Sequence, residues 1–188
     1  ASQVSGSVTN LSLDQWRYTF AIMLDAPFLA SKLALEKMIQ QKSGVIINAV
    51  SPSGVRPDHG MAAYGACKAA LINLTKSIAM DYAADGIRCV GVAPGATLTR
   101  SLKNFLQIGD IEPDVKERLA NNMSPEMLEK YRKRLFDACP TGRFAEPEEV
   151  ARTVLFLASS DASYISGDVL FVDGAMTAQP GGMAKFQP

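Results

Sequence analysis

The chain has 188 residues, 47% of them hydrophobic and 20% charged, enough for one domain with a sizeable core. Lys plus Arg and Asp plus Glu both number 19, so no net field recruits nucleic acid or an anionic membrane. Three scattered cysteines (Cys67, Cys89 and Cys139) and a single histidine, His59, argue against a disulfide framework, a zinc site or a histidine-centred triad.

Residues 1–11 are polar and aperiodic and read as coil, with no secretory pattern, so a cytoplasmic location is expected. No apolar run approaches the roughly 18 residues of a spanning helix. Ser12-Leu13-Asp14-Gln15 has the form of a capping box. Trp16, Phe20, Met23 or Leu24, Phe28, Leu33 and Met38 then recur at helical intervals and predict a long helix to about Gln41. Pro27 is expected to kink this helix or to open a second segment.

Residues 45–50 form a β-branched, near-continuous apolar run, which predicts a strand buried on both faces of a parallel sheet. Ser51-Pro52-Ser53-Gly54 ends it. An Ala- and Leu-rich helix is predicted over 61–84, stopped by Asp85-Gly86. A second strand over 87–93 closes at Pro94-Gly95.

Residues 96–140 turn polar, with scattered Phe105, Leu119, Met123, Met127, Tyr131 and Phe136, and read as a helical excursion outside the sheet. The basic side chains there (Lys116, Arg118, Lys130, Arg132, Lys133 and Arg134) read as a solvated helix face before an anion site. Pro147, followed by Glu148 and Glu149, opens a helix to about Ser159. A third strand over 168–172 ends at Asp173-Gly174, and a loop tail contains Pro180-Gly181-Gly182. Alternating strands and helices give an α/β class, with a parallel sheet and no boundary within 1–188.

Tyr64 and Lys68 are four residues apart, which places them one turn apart on one helical face. A phenol with a resting pKa near 10 is a poor acid or base at neutrality. A neighbouring ammonium favours the phenolate and is expected to pull that pKa down, which suits a carbonyl/alcohol interconversion. Such a pair is also common on solvated helices.

Several stretches together resemble one family, the short-chain dehydrogenases/reductases. Asn48-Ala49-Val50-Ser51-Pro52-Ser53-Gly54 resembles its strand ending in a catalytic serine, and Tyr64-Gly65-Ala66-Cys67-Lys68 its Tyr-x-x-x-Lys motif. Val92-Ala93-Pro94-Gly95 with Thr99, the segment from Gly142 to Ala151, and Ser166-Gly167 through Asp173-Gly174 match in order. The resemblance runs from Trp16 to Gly174. It implies a Rossmann-like, doubly wound sheet of which the last three strands and their helices are present. It implies an alcohol/carbonyl oxidoreductase using NAD or NADP, with Ser51, Tyr64 and Lys68 catalytic and Ser51, Ser53 and Tyr64 against the substrate. Tyr64, Lys68, Pro94, Gly95, Ala96 and Thr99 would hold the nicotinamide end, and 96–140 would form a substrate lid.

Two features depart from the family pattern. No Gly-x-x-x-Gly-x-Gly or Gly-x-Gly-x-x-Gly opens a helix here, so most of the adenosine and pyrophosphate site is expected to come from elsewhere. The resemblance then implies a complementary N-terminal chain or homologous subunit, a longer parent chain, or a shortened member that lost the nucleotide site, and oligomers built on the helices near 12–41 and 60–84. The strand at 45–50 is expected at an open edge. Met23 stands where the family usually carries an asparagine. Both departures also fit a non-catalytic subunit that acts through an active partner.

Overall fold

The computed structural model describes residues 6–106, 108–109 and 124–178. Helix α1 (Leu13–Phe20) begins at the Ser12 capping box. The Ser12 hydroxyl accepts from the Gln15 N–H at 3.2 Å, and the Gln15 side chain accepts from the Ser12 N–H at 2.9 Å. Pro27 does not break the helix. The chain passes through one wide π turn, Ala21–Asp25, into α2 (Ala26–Gln41), and the Ala26 N–H bonds to the Ala21 carbonyl five residues back. Pro27 has no N–H, so the Met23 carbonyl lacks its α-helical donor, and a widened turn accommodates that loss. Lys42 closes α2 in a left-handed conformation with φ 52°.

Strands β1 (Gly44–Ala49), β2 (Ile87–Pro94) and β3 (Val169–Val172) form a parallel sheet in the order β1-β2-β3. Gly44 lies opposite Ile87 and Ala49 opposite Val92. The Gly167 N–H to Cys89 carbonyl bond at 2.8 Å and the Gly91 N–H to Asp168 carbonyl bond at 2.9 Å set β3 beside β2. β1 is at the sheet edge, with Val45, Ile46 and Ile47 half-buried and Ala49 exposed. The expectation that it is buried on both faces is therefore corrected: an apolar run reports that a residue can be buried, not that a neighbour covers it. β2, the central strand, is the one buried along nearly its whole length.

Helix α3 (Ala62–Asp81) and α2 cover one face of this sheet. Leu35, Ile78, Ala79, Ile87 and Cys89 make one buried cluster, with Met38, Ile39 and Ile46 against it. Val50, Leu71, Ile72 and Ala93 make another, with Leu24, Val169 and Phe171. By length and composition alone, Leu13–Gln41 is apolar enough to cross a membrane, contrary to the reading of the uninterrupted runs. Asp25 and Lys32 break those runs while leaving the mean hydropathy high. Leu24, Leu35, Met38 and Ile39 pack into the sheet-side clusters, the arrangement of a sheet-covering helix.

The chain divides into two compact units, Ala1–Pro94 with Arg152–Phe171, and Gly95–Ala151 with Val172–Pro188. The turn to polar sequence after Pro94-Gly95 coincides with the first of these divisions, and the other two fall inside regular elements, where composition gives no sign of them. In the second unit lie α4 (Arg100–Leu106), α5 (Pro125–Asp137) and the start of α6 (Pro147–Ala158). Leu106, Leu128 and Cys139 are buried there, and Arg143 grips Glu149 in a two-pronged pair at 2.7 and 2.8 Å. On α5, Arg132 pairs with Glu129 and Lys133 with Asp137, as a solvated face does. Lys116, Arg118, Leu119, Met123 and the tail glycines lie outside the described residues, as do the side chains of Phe105, Met127 and Tyr131.

Candidate active site

Ser51 stands just past β1. The preceding residue, Val50, still pairs with the sheet, its N–H donating to the Val92 carbonyl at 2.8 Å. Ser51 is extended and opens a tight turn over Pro52–Gly54, where its hydroxyl accepts from the Ser53 N–H at 3.2 Å. The turn lies directly on α3. A Cβ on Gly54 would sit 2.8 Å from the Lys68 carbonyl carbon and from Ile72 Cδ1, so only glycine permits this approach. The turn and α3 are thereby held together, and Ser51 reaches the side chains of the helix.

A buried polar bond fixes the same geometry from below. The Asn48 amide donates to the Thr75 hydroxyl at 3.0 Å, and Thr75 donates to the Leu71 carbonyl at 2.8 Å. Both side chains are buried, so the bond ties β1 to α3 at a defined height. Lys68 then points back to the sheet, and its ammonium donates to the Ala49 carbonyl at 2.8 Å. It lies 5.6 Å from the centre of the Tyr64 ring. The Ser51 hydroxyl lies close enough to the Tyr64 phenol to lower its pKa. The structure thus brings Ser51, Tyr64 and Lys68 together from two elements that the sequence only lists in order.

The electrostatics differ from the simple tyrosine–lysine expectation. Burial holds the Tyr64 pKa above its ordinary value; the Ser51 hydrogen bond works against this, and the charge of Asp58 adds to it. Burial also lowers the Lys68 pKa. Removing both groups from water disfavours both charged forms, and the charge of Lys68 acts on its neighbour Cys67, whose pKa it lowers, rather than on the phenol. The adjacent Cys67 and the sheet residue Cys89 are both pushed up to about 11 by burial, so neither is a reactive thiolate at neutrality.

Ser53 donates to the Asp58 carboxylate at 2.6 Å and accepts from Ser51 at 3.3 Å. Asp58 is the site residue that sequence reasoning missed. It sits in an aperiodic loop, and the one available signal was an acid between the serine and the tyrosine. Pro94 closes β2 within the first unit.

In the second unit, the Gly95 N–H donates to the Val172 carbonyl at 3.0 Å. A Cβ on Gly95 would meet the Asp173 Cα at 2.8 Å, which explains the glycine. The Gly95 carbonyl accepts from the Thr97 hydroxyl at 3.1 Å, and the Ala96 carbonyl from the Ala145 N–H at 2.9 Å. Thr99 precedes α4 and caps it, its hydroxyl accepting from the Leu102 N–H at 3.3 Å. That hydroxyl keeps its own proton to donate.

Residues 1–107 match the family model described as short chain dehydrogenase, and residues 111–177 one described as enoyl-(acyl carrier protein) reductase. The meso-2,3-butanediol dehydrogenase of Serratia marcescens is 38% identical over 95% of this chain and 62% of its own length. A protein named inactive 2-(S)-hydroxypropyl-CoM dehydrogenase 2, from Xanthobacter autotrophicus, is 35% identical over 92% of this chain and 68% of its own length. The solved ligand-free aldohexose dehydrogenase of Thermoplasma acidophilum superposes with a TM-score of 0.80 at 31% identity, covering 97% of this chain and 67% of that one. The chain spans about 62% of the length of the first of these relatives. The parallel α/β fold, the matched models and these relatives agree that the chain belongs to the short-chain dehydrogenase family.

Proposed function

We propose that this chain carries the proton-transfer part of an oxidoreductase that interconverts a small alcohol and its ketone with NAD or NADP, in the cytoplasm. The observation that carries the reading is the convergence of Ser51, Tyr64 and Lys68, with the Ser51 hydroxyl acting on the phenol and the lysine anchored on Ala49. Tyr64 gives a proton to the carbonyl oxygen in reduction and takes one from the alcohol in oxidation. Ser51, held at the end of a rigid strand, orients that oxygen with a neutral hydroxyl. Ser53 borders the same substrate face.

The residues present fit the nicotinamide end of the cofactor. An ammonium has three N–H donors, and Ala49 takes one, leaving two for a ribose diol. The bound nicotinamide supplies or accepts the hydride at the substrate carbon. Lys68 binds and orients it, and the buried setting keeps water from the reacting atoms. The assignment of Pro94, Gly95, Ala96 and Thr99 to the nicotinamide rests on the motif alone. The pyrophosphate needs glycine-lined backbone at a helix start, and no such fingerprint occurs in this sequence, so its holder is a complementary chain, parent segment or homologous subunit. Stretch 96–140 is the proposed lid, and the helices near 12–41 and 60–84 the proposed oligomer surface.

The test pairs binding with turnover. Tyr64→Phe abolishes alcohol oxidation and leaves nicotinamide binding in place, measured by absorbance of the reduced cofactor and by fluorescence titration. Retained turnover removes Tyr64 from this role. Met23, where the family usually carries an asparagine, favours a second reading, a non-catalytic subunit. An assembly that contains this chain and turns over an alcohol, but is indifferent to Tyr64→Phe, supports that reading instead.

A further inference from the structure

Ser51 and Pro94 mark the carboxyl end of the parallel sheet. At its amino end a cleft of about 800 Å³ is lined by α3 and by residues 158–167, with Gly44 and Ile87, the first residues of β1 and β2, at its floor. The 6 residues of β1, at about 3.3 Å each, set the two ends about 20 Å apart. The cleft is therefore a different place from the cluster of Ser51, Tyr64 and Lys68. All of its lining belongs to the first unit.

Its polar side chains are donors without a matching acid. Lys76 is exposed and has no hydrogen-bond or ion-pair partner among the described residues. Arg88 is half-buried, and its guanidinium donates to the carbonyls of Leu157, Ser159 and Ile165 at 3.0, 3.2 and 3.3 Å. It reaches no carboxylate among the described residues. A guanidinium has five N–H donors, so two are left over. Ser166 accepts from the Cys89 N–H at 3.2 Å and keeps its own proton to donate. The hydroxyls of Ser43, Ser160 and Ser163 have no partner among the described residues.

No acid lines the cleft among those residues. Asp85, beside Gly86, is paired with Lys42, and Asp168, beside Gly167, accepts from the Val169 N–H at 2.7 Å. Asp81 and Asp161 adjoin the lining in sequence only. The positive charge of Lys76 and Arg88 is thus left without a counter-charge in the cleft. Arg88 and Ser166 also tie the 157–167 wall to β2, so the donors are in place before a ligand arrives.

We propose that this cleft binds the phosphate group of a small phosphorylated molecule. An ammonium, a guanidinium and several free hydroxyls offer more donors than a carboxylate's two oxygens use, whereas a phosphate monoester presents three terminal oxygens and a larger charge. Met80, exposed and one turn from Lys76 on α3, and Val45 give the carbon part of such a molecule an apolar wall beside the cations.

The experiment is calorimetric titration of the intact protein with inorganic phosphate and with phenyl phosphate, sodium chloride holding the ionic strength constant. Both saturate, with Kd in the millimolar range of an open and partly screened site. Lys76→Ala weakens both about tenfold, the loss of one charge-assisted contact. Lys32→Ala removes the same charge from α2, outside the cleft, and leaves affinity unchanged. Lys76 is exposed and unpaired, so its variant keeps the fold, which unchanged urea unfolding verifies. Tighter binding of phenyl phosphate identifies a phosphate ester as the occupant, and equal binding identifies free phosphate; either supports the site. Binding that does not saturate, that Lys76→Ala leaves untouched, or that Lys32→Ala weakens equally overturns the proposal. The readout is binding alone, so its outcome is independent of the turnover assigned to Tyr64.

Discussion

The Lys68 ammonium donates to the Ala49 carbonyl at 2.8 Å, so α3 is pinned to the edge strand by one of its own proposed site residues. The carbonyl belongs to the last residue of β1, two before Ser51. Lysine and serine are therefore positioned by the same strand end.

Lys68→Met separates the structural from the chemical use of this lysine. The charge is buried and its pKa is lowered by that burial, so removing it relieves a desolvation cost while giving up one hydrogen bond. These oppose each other, and unfolding free energy from urea titration changes by no more than about 1 kcal/mol. Turnover of an active assembly falls at least about 100-fold. A loss of several kcal/mol in stability would mean that the bond to Ala49 is the main reason for a lysine here.

Gly54→Ala tests the close approach of turn and helix. Its Cβ meets the Lys68 carbonyl carbon and Ile72 Cδ1 at 2.8 Å, one of them backbone that cannot swing aside. The turn must lift, at a cost of about 1–3 kcal/mol, and Ser51 lifts with it. The check is urea unfolding together with kcat. Stability falls in that range, and kcat falls more than KM rises, since the shift moves a group that acts on the reacting oxygen. Unchanged values of both would show that the turn has room to spare.

The two buried thiols predict a specific alkaline weakness. Cys67 and Cys89 have pKa values of about 11 in the folded chain, against ordinary values of about 9. Above pH 9 the unfolded chain loses protons that the folded chain keeps. Stability is therefore lost as pH rises from about 9 toward 11, on the order of 1 kcal/mol per thiol between pH 9 and 10. Lys68 contributes with the opposite sign, because its folded pKa is lowered. Tyr64 adds to the loss only above pH 10. Chemical unfolding at pH 8, 9 and 10 measures the slope, and Cys67→Ala makes it shallower. An equal slope in that variant would mean that Cys67 does not titrate differently in the two states.

The local parts of this molecule were legible from residue order alone. Ser12 and Gln15 make a capping box by their spacing, Asp85-Gly86 ends a helix by turn chemistry, and Tyr64 and Lys68 share a face because a helix repeats every 3.6 residues. The three strands were readable because β-branched runs between turn signals have few other uses. Those rules act over a few residues, and the sequence displays them directly. Tertiary structure decided what depends on neighbours. It left the apolar residues of β1, the strand already expected at an open edge, only half-covered. Of the two expectations for Pro27, a kink or the start of a second segment, it realised the second: α2 opens at Ala26 after a single wide turn over Ala21–Asp25. It raised the Tyr64 pKa where the pairing with Lys68 alone predicts a fall, because burial acts on both groups and belongs to no pair of letters. It also brought Asp58, an unremarked loop acid, to the far end of a hydrogen-bonded row that begins at Ser51, since only folding sets the distance between a loop and a strand end.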